Sequence, residues 1–171
     1  MSNRFPSTWH KMRELVILSL NIIYIKDILQ QSERLKARLI YLNFSEGPIE
    51  GVEDMLRVRK RQLNLRMKNL LEEILNSSRD WSLYGFNVDI ETASLTRKQL
   101  EKGYAIFTNI REVSFALNLR NGALSIIYNP EDPDSTDANL RSLEYTARHE
   151  GPVYKFFNID MNDPLTGLIR Y

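Results

Sequence analysis

Six basic side chains lie between positions 57 and 68 and form the cluster best suited to bind phosphate. They are Arg57, Arg59, Lys60, Arg61, Arg66 and Lys68. On a helix, Arg57, Arg61 and Lys68 flank one side of an apolar stripe, and Arg59 and Arg66 flank the other. Because Lys and Arg stems often cover the edges of a helix contact, solvated flanks are the favoured interpretation. A nucleic-acid-binding surface on Arg57, Arg59, Arg61, Arg66 and Lys68 is the alternative.

The two histidines, His10 and His149, are the other candidates for acid–base or metal chemistry. Neither has a second histidine four residues away, so the spacing of zinc proteases is absent. The chain has no cysteine, which excludes disulfides, thiolate nucleophiles and cysteine-bound metals. The seven glycines match no dinucleotide, P-loop or nucleophile-elbow motif. An enzyme is therefore only a third hypothesis, with carboxylates and histidines gathered by the fold.

Three aspartates, Asp132, Asp134 and Asp137, are spaced somewhat like the start of a calcium-binding loop. Such a loop needs glycine at its sixth position and glutamate at its twelfth, where this chain has Asp137 and Leu143. The segment 158–162 fails in the same way. We therefore expect turn and cap residues here, and no catalytic, cofactor-binding or metal-binding residues in the chain.

Composition describes an ordinary globular protein. The chain has 171 residues, of which 43% are hydrophobic and 26% charged, and its net charge is +1. Such a balance gives no strong field to attract nucleic acid or a membrane. The first fifteen residues lack the pattern of a secretory signal. We expect a protein that is not secreted and lies in the cytoplasm or within a particle.

The elements that must carry these side chains begin with an apolar stretch at residues 15–25, which only Ser19 and Asn21 interrupt. A helix that is apolar on nearly every side must be buried on nearly every side. The stretch is shorter than the roughly 20 residues that cross a bilayer. If half of it stayed exposed, each side chain would lose about 1.5–3 kcal/mol, and the sum would rival the stability of a domain. The sequence therefore predicts contact with other chains here.

Two helices at about 9–43 and 50–76 form the predicted frame, joined by a turn at 45–48. So short a turn makes them an antiparallel hairpin. The apolar stripe of the second helix is Val52, Leu56, Leu63, Met67, Leu70 and Ile74. Val58 and Leu65 lie opposite this stripe. The predicted interface consists of Leu15, Leu18, Ile22, Ile25, Leu29, Val58 and Leu65.

The carboxyl-terminal half predicts a small sheet. Alternation predicts a strand within 81–91, and Thr96 with Gln99 forms a capping box that begins a helix from about 95 to 108. The composition of 104–110, after Gly103, also fits a strand, and this alternative stays open. A two-residue turn at Asn121-Gly122 predicts a β-hairpin with three pairs. These pairs are Leu119 with Leu124, Leu117 with Ile126 and Phe115 with Tyr128.

The last elements are a helix from Asp137 to about Glu150 and a final strand over 153–159. The whole pattern predicts an α+β protein, with an amino-terminal antiparallel helical hairpin followed by a small, mostly antiparallel sheet and two flanking helices. Its units are 1–78 and 79–171, or one continuous domain.

We expect a non-enzymatic structural or adaptor subunit of a larger assembly, with a viral or phage particle as one setting. Its partners are copies of itself or other protein subunits. Nucleic acid is possible but less favoured, and a membrane is not expected.

Overall fold

The computed structural model describes residues 7–43, 45–77, 95–108, 111–132 and 137–160. Two long helices come first, and a three-stranded antiparallel sheet with short helices follows, which confirms the predicted α+β class. In chain order the elements are α1 Ser7–Tyr41, α2 Gly47–Asn76, α3 Arg97–Lys102, β1 Tyr104–Thr108, β2 Ser114–Asn118, β3 Leu124–Tyr128, α4 Asp137–Glu150 and α5 Val153–Phe156.

Helices α1 and α2 form the predicted hairpin. They contain 35 and 30 residues, which corresponds to about 50 Å and about 45 Å of helix. Pro48 lies in the first turn of α2, where its missing N–H breaks no helical hydrogen bond. In the described part of the chain, no helix combines the length and apolar character needed to cross a membrane.

The end of the hairpin nearest the sheet holds the hydrophobic core. We call residues 12–25 of α1 and 63–75 of α2 the proximal half, and it packs against α3 and α5 as well as against itself. Ser19 and Asn21 are tolerated here because each donates to the carbonyl oxygen four residues earlier, at 2.7 and 2.8 Å. The buried apolar residues are Met12, Leu15, Val16, Leu18, Leu20, Ile22 and Ile25 from α1, and Leu63, Met67, Leu70, Leu71, Ile74 and Leu75 from α2.

Helix α3 begins as predicted and ends earlier than predicted. Thr96 and Gln99 form the reciprocal capping box. The helix stops at Lys102, because Gly103 adopts a left-handed conformation with φ of 84° and donates to Gln99 O. The segment 104–108, which we predicted to be helical, is therefore strand β1, paired with β2.

The hairpin of β2 and β3 forms, but the predicted register is wrong by two residues. Leu117 pairs with Leu124, and Phe115 pairs with Ile126. Asn118 donates its N–H to Ala123 O and accepts from Gly122 N, and Leu119 donates to Gly103 O at 2.8 Å on the side of β1, so the loop is longer than the predicted two residues. Gly122 alone of the predicted Asn-Gly turn has positive φ, whereas a type I′ turn needs two such residues. The even shift keeps the four paired side chains on one face.

The remaining predictions have mixed outcomes. Helix α4 has the predicted bounds. The predicted strand over 153–159 is wrong, because Pro152 precedes the short helix α5, and the buried residues Val153 and Phe157, its first residue and its C-cap, have the helical spacing of four. The predicted strand within 81–91 lies outside the described residues.

Candidate docking surface

Burial changes abruptly halfway along the hairpin. We call residues 26–62 the distal half. Among its described residues Glu53 is the one fully buried side chain, and several apolar side chains are half-buried. They are Ile28, Leu29, Leu39, Ile49 and Leu56, of which Leu29 and Leu56 pack against the hydrophobic core.

One side of the distal half is an ionic cluster. The Glu53 carboxylate lies 2.7 Å from the Lys36 ammonium, which also lies 3.1 Å from Glu33. Arg57 approaches Glu33 and Glu53 at 3.6 and 3.7 Å. Since Glu53 is completely buried, Lys36 supplies the charge that makes its burial tolerable. The sequence alone did not predict that Glu53 would be buried.

These contacts shift pKa values. The hydrogen bond and charge of Lys36 lower the pKa of Glu33, and hydrogen bonds to Glu53 and then Glu33 raise the pKa of Lys36. In the proximal half, the hydrogen bond and charge of Lys11 lower the pKa of Glu73. Each shift favours the charged form in the folded chain.

We expect stability to fall at both extremes of pH. Glu33 and Glu73 stabilise the fold above the ordinary glutamate pKa of about 4.3, and this contribution is lost as the pH falls through the lowered pKa values of the two side chains. Lys36 contributes fully below the ordinary lysine pKa of about 10.4, and its contribution is lost as pH rises through its raised value. Urea unfolding measured across pH checks both arms. The control variant Glu33→Gln/Glu73→Gln should show a shallower loss in acid, and an unchanged acid slope would contradict the assignment.

The opposite side of the distal half is apolar. Residues two apart on a helix lie about 200° apart, so Leu35 is opposite Glu33 on α1, and Met55 is opposite Arg57 on α2. Because Glu33 and Arg57 pair on one side of the hairpin, Leu35 and Met55 share the other. We call this second side the distal apolar face. Its four large apolar residues are 48 to 73% exposed: Leu35, Leu42, Val52 and Met55.

Arginines complete this face. Leu35 and Arg38 lie on α1, and Leu42 follows its last residue and donates its N–H to Arg38 O at 3.0 Å, so the three residues keep the helical spacing i, i+3, i+7. The same spacing relates Val52, Met55 and Arg59 on α2. The face therefore has one row of apolar residues on each helix, and each row contains one guanidinium. Because the helices are antiparallel and Lys36 lies opposite Glu53, the two rows meet at the level of Leu35 and Val52 and run from there in opposite directions along the hairpin. Arg38 and Leu42 also border a surface depression of about 390 Å³ at the end of α1.

The predicted interface residues divide into two groups. Leu15, Leu18, Ile22 and Ile25 are at most 2% exposed, and Leu29 is half-buried against the same core. A single chain therefore buries these residues within its own core. Their burial does not require contact with other chains, contrary to our expectation from the sequence. The surface part of the predicted interface is Val58 and Leu65, which are 58 and 49% exposed on the outer side of α2, as their spacing indicated.

The basic cluster is partly paired with carboxylates. Arg57 belongs to the ionic cluster, Arg66 binds Glu14 at 2.6 Å, and Lys68 lies 4.0 Å from Glu72. Three of the five cations proposed to bind phosphate therefore already face a carboxylate. This arrangement lowers the charge available to a nucleic acid.

A cleft of about 320 Å³ lies between α3, β1 and α4. Tyr104 is almost fully buried there, with the Lys102 ammonium 5.9 Å from its ring centroid. Burial, followed by the charge of Glu144, raises the pKa of Tyr104. A phenol held protonated is suited to packing or hydrogen-bond donation, and poorly suited to act as a base or nucleophile. The other lining residues are Glu101, Ala147 and Arg148.

The histidines lie apart from this cleft. His10 contacts the edge of Trp9, while His149 stacks on Tyr145 and lies 2.8 Å from its carbonyl oxygen. In the described segments, no three histidine, aspartate or glutamate side chains come together as a metal site would require.

The comparisons return nothing: no family model, curated protein or solved structure matches the chain. Functional inference therefore starts from the hairpin geometry.

Proposed function

We propose that the protein is a non-enzymatic docking subunit of a larger assembly, and that it binds a protein partner through the distal apolar face. The observation that carries this proposal is the contrast within one hairpin. The proximal half buries most of its large apolar residues, with Tyr24 and Leu65 as its exposed members, whereas Leu35, Leu42, Val52 and Met55 all stay about half exposed or more on one side of the distal half. Exposed apolar clusters of this kind mark interaction sites.

The rigidity of the hairpin supports this function. The ionic cluster fixes the two helices against each other at the level of Lys36 and Glu53, so the face requires little ordering when a partner binds. A preorganised apolar surface on two helices suits a partner helix or helical pair. The narrower setting of a viral or phage particle stays a prediction.

A selection experiment tests the proposal. A displayed library of helical peptides is selected against the wild-type chain and, in parallel, against Leu35→Ser/Met55→Ser. We expect peptides with apolar residues at helical spacing to be recovered on the wild type and lost on this variant, because two central contacts of the face are removed. The control variant Tyr145→Ser changes an exposed aromatic residue on α4 and should retain them.

The outcomes separate the two possible surfaces. Loss of binding on Leu35→Ser/Met55→Ser alone supports the distal apolar face. Loss only on Val58→Ser/Leu65→Ser moves the site to the outer side of α2 and overturns its placement here. Recovery of no peptide, or equal recovery on every variant, contradicts a docking function.

A further inference from the structure

We propose that the thioether of Met55 is an oxidation site, and that its conversion to the sulfoxide by peroxide weakens partner binding at the distal apolar face. The proposal rests on the proposed docking function and adds the regulation of the same face. Three observations carry it: the exposure of Met55, the burial of Met12 and Met67, and the place of Met55 in the face.

Met55 is the most exposed of the four large apolar residues on the distal apolar face, with 73% of its surface accessible. Gly51 lies one helical turn earlier on the same side of α2, and an added methyl group there meets no neighbour. This side of the helix is therefore open beside Met55 as well as at it. A small oxidant can reach the sulfur atom without any unfolding of the hairpin.

The other two methionines that the structure describes are closed to such an oxidant. Met12 and Met67 are completely buried in the core of the proximal half. The Met12 sulfur packs beside Gly122, where it would lie 3.3 Å from an added methyl group. The Met67 sulfur accepts a hydrogen bond from the Ser19 hydroxyl at 3.9 Å. The fold therefore directs peroxide to Met55 in preference to Met12 and Met67.

The reaction is a two-electron oxidation of the sulfur atom. Hydrogen peroxide transfers one oxygen atom to Met55 Sδ, so that an S–O bond forms, the O–O bond breaks and water leaves. The product is a polar, chiral sulfoxide whose oxygen accepts hydrogen bonds. An apolar side chain of a partner offers this oxygen no donor, and burial of an unpaired polar group is unfavourable. Oxidation therefore opposes the contact that the apolar thioether favours.

The change is reversible and local. Sulfoxide reductases return methionine sulfoxide to methionine, with one enzyme for each epimer. Because the Met55 side chain is mostly exposed, the folded hairpin depends little on it. Oxidation should therefore lower the affinity of the face, and reduction should restore it, while both helices stay intact.

Peroxide treatment of the full chain, followed by peptide mass spectrometry, tests the selectivity. In the folded chain we expect Met55 to be oxidised at least about tenfold faster than Met12 and Met67, and in urea we expect the three rates to converge. Equal rates in the folded chain would overturn the proposal.

Peptide binding tests the consequence. A helical peptide recovered in the selection on the wild-type chain is labelled, and its binding is measured by fluorescence anisotropy before and after peroxide treatment. We expect oxidation to weaken binding at least about tenfold, and treatment with both sulfoxide reductases to restore it.

Met55→Leu supplies the matched control. Leucine keeps an apolar side chain of similar volume, so this variant should bind the peptide equally well before and after peroxide treatment. It also retains the other four methionines of the chain. Weaker binding after treatment of Met55→Leu would therefore assign the effect to another residue and overturn the proposal.

The remaining results separate the oxidation site from the docking function. Undiminished binding by a chain oxidised at Met55 overturns the regulation and leaves the docking function standing. Failure of the untreated chain to bind any peptide overturns both. Circular dichroism of the oxidised chain should show unchanged helicity, and a loss of helix would contradict a local effect at Met55.

Discussion

Replacement of Leu18 by alanine is expected to destabilise the chain by about 2–5 kcal/mol, because it leaves a cavity in the closed proximal half of the hairpin. Urea unfolding of the purified chain measures this loss. Leu18 is completely buried and lies on the helix that packs against α2, α3 and α5, so few neighbours can move in to fill the space.

The matched control is the same substitution on the same helix. Leu35 lies on the distal apolar face and is 48% exposed, so Leu35→Ala should cost about 1 kcal/mol or less. Equal losses for Leu18→Ala and Leu35→Ala would contradict the division of the hairpin into a closed half and an open half.

The second large effect is expected at Gly103. This residue ends α3 with φ of 84°, a conformation that costs a non-glycine residue about 1–3 kcal/mol. An added methyl group would also collide with the Arg120 guanidinium. Arg120 is nearly buried, donates to Gly151 O and lies 3.3 Å from the Glu150 carboxylate, so its displacement would also loosen the end of α4.

We therefore expect Gly103→Ala to destabilise the chain by at least about 2 kcal/mol, measured by urea unfolding. Gly51→Ala is the control, since Gly51 lies within α2 and an added methyl group there meets no neighbour. That substitution should stabilise the chain by about 0.5–1 kcal/mol, because alanine favours the helix. A neutral Gly103→Ala would show that the left-handed cap is not required.

The sequence predicted elements well where a local rule decided them. Apolar spacing and the turn before Pro48 were sufficient for the hairpin, and Thr96 with Gln99 marked the start of α3. The end of α3 was missed because the strand-forming residues 104–108 also fit a helical continuation. Gly103 was the available signal, since a left-handed glycine commonly ends a helix.

Tertiary contacts decided the features that could not be predicted. Strand β2 pairs with β1 on one side and β3 on the other, so its register depends on both neighbours and not on the turn at Asn121-Gly122 alone. Residues 15–25 were expected to be buried, but their neighbours α3 and α5 could not be placed by spacing alone.

The distal apolar face was missed for the same reason. Val52 fits the apolar stripe of α2, yet it is 53% exposed because the surrounding core ends before it. The ion pair between Glu33 and Arg57 on one side of the hairpin shows that Leu35 and Met55 share the other side. Spacing identifies a candidate face, but only the contact between the helices shows which side is covered.

Thiol labelling tests most directly the claim that a single chain closes the proximal half and leaves the distal apolar face open. The chain has no cysteine, so Leu18→Cys and Met55→Cys each introduce one reporter. At concentrations low enough to disfavour association, we predict labelling of Met55→Cys at nearly the rate of the unfolded chain, and strong protection of Leu18→Cys until urea unfolds it. Rapid labelling of folded Leu18→Cys, or protection of Met55→Cys in the isolated chain, would contradict the account.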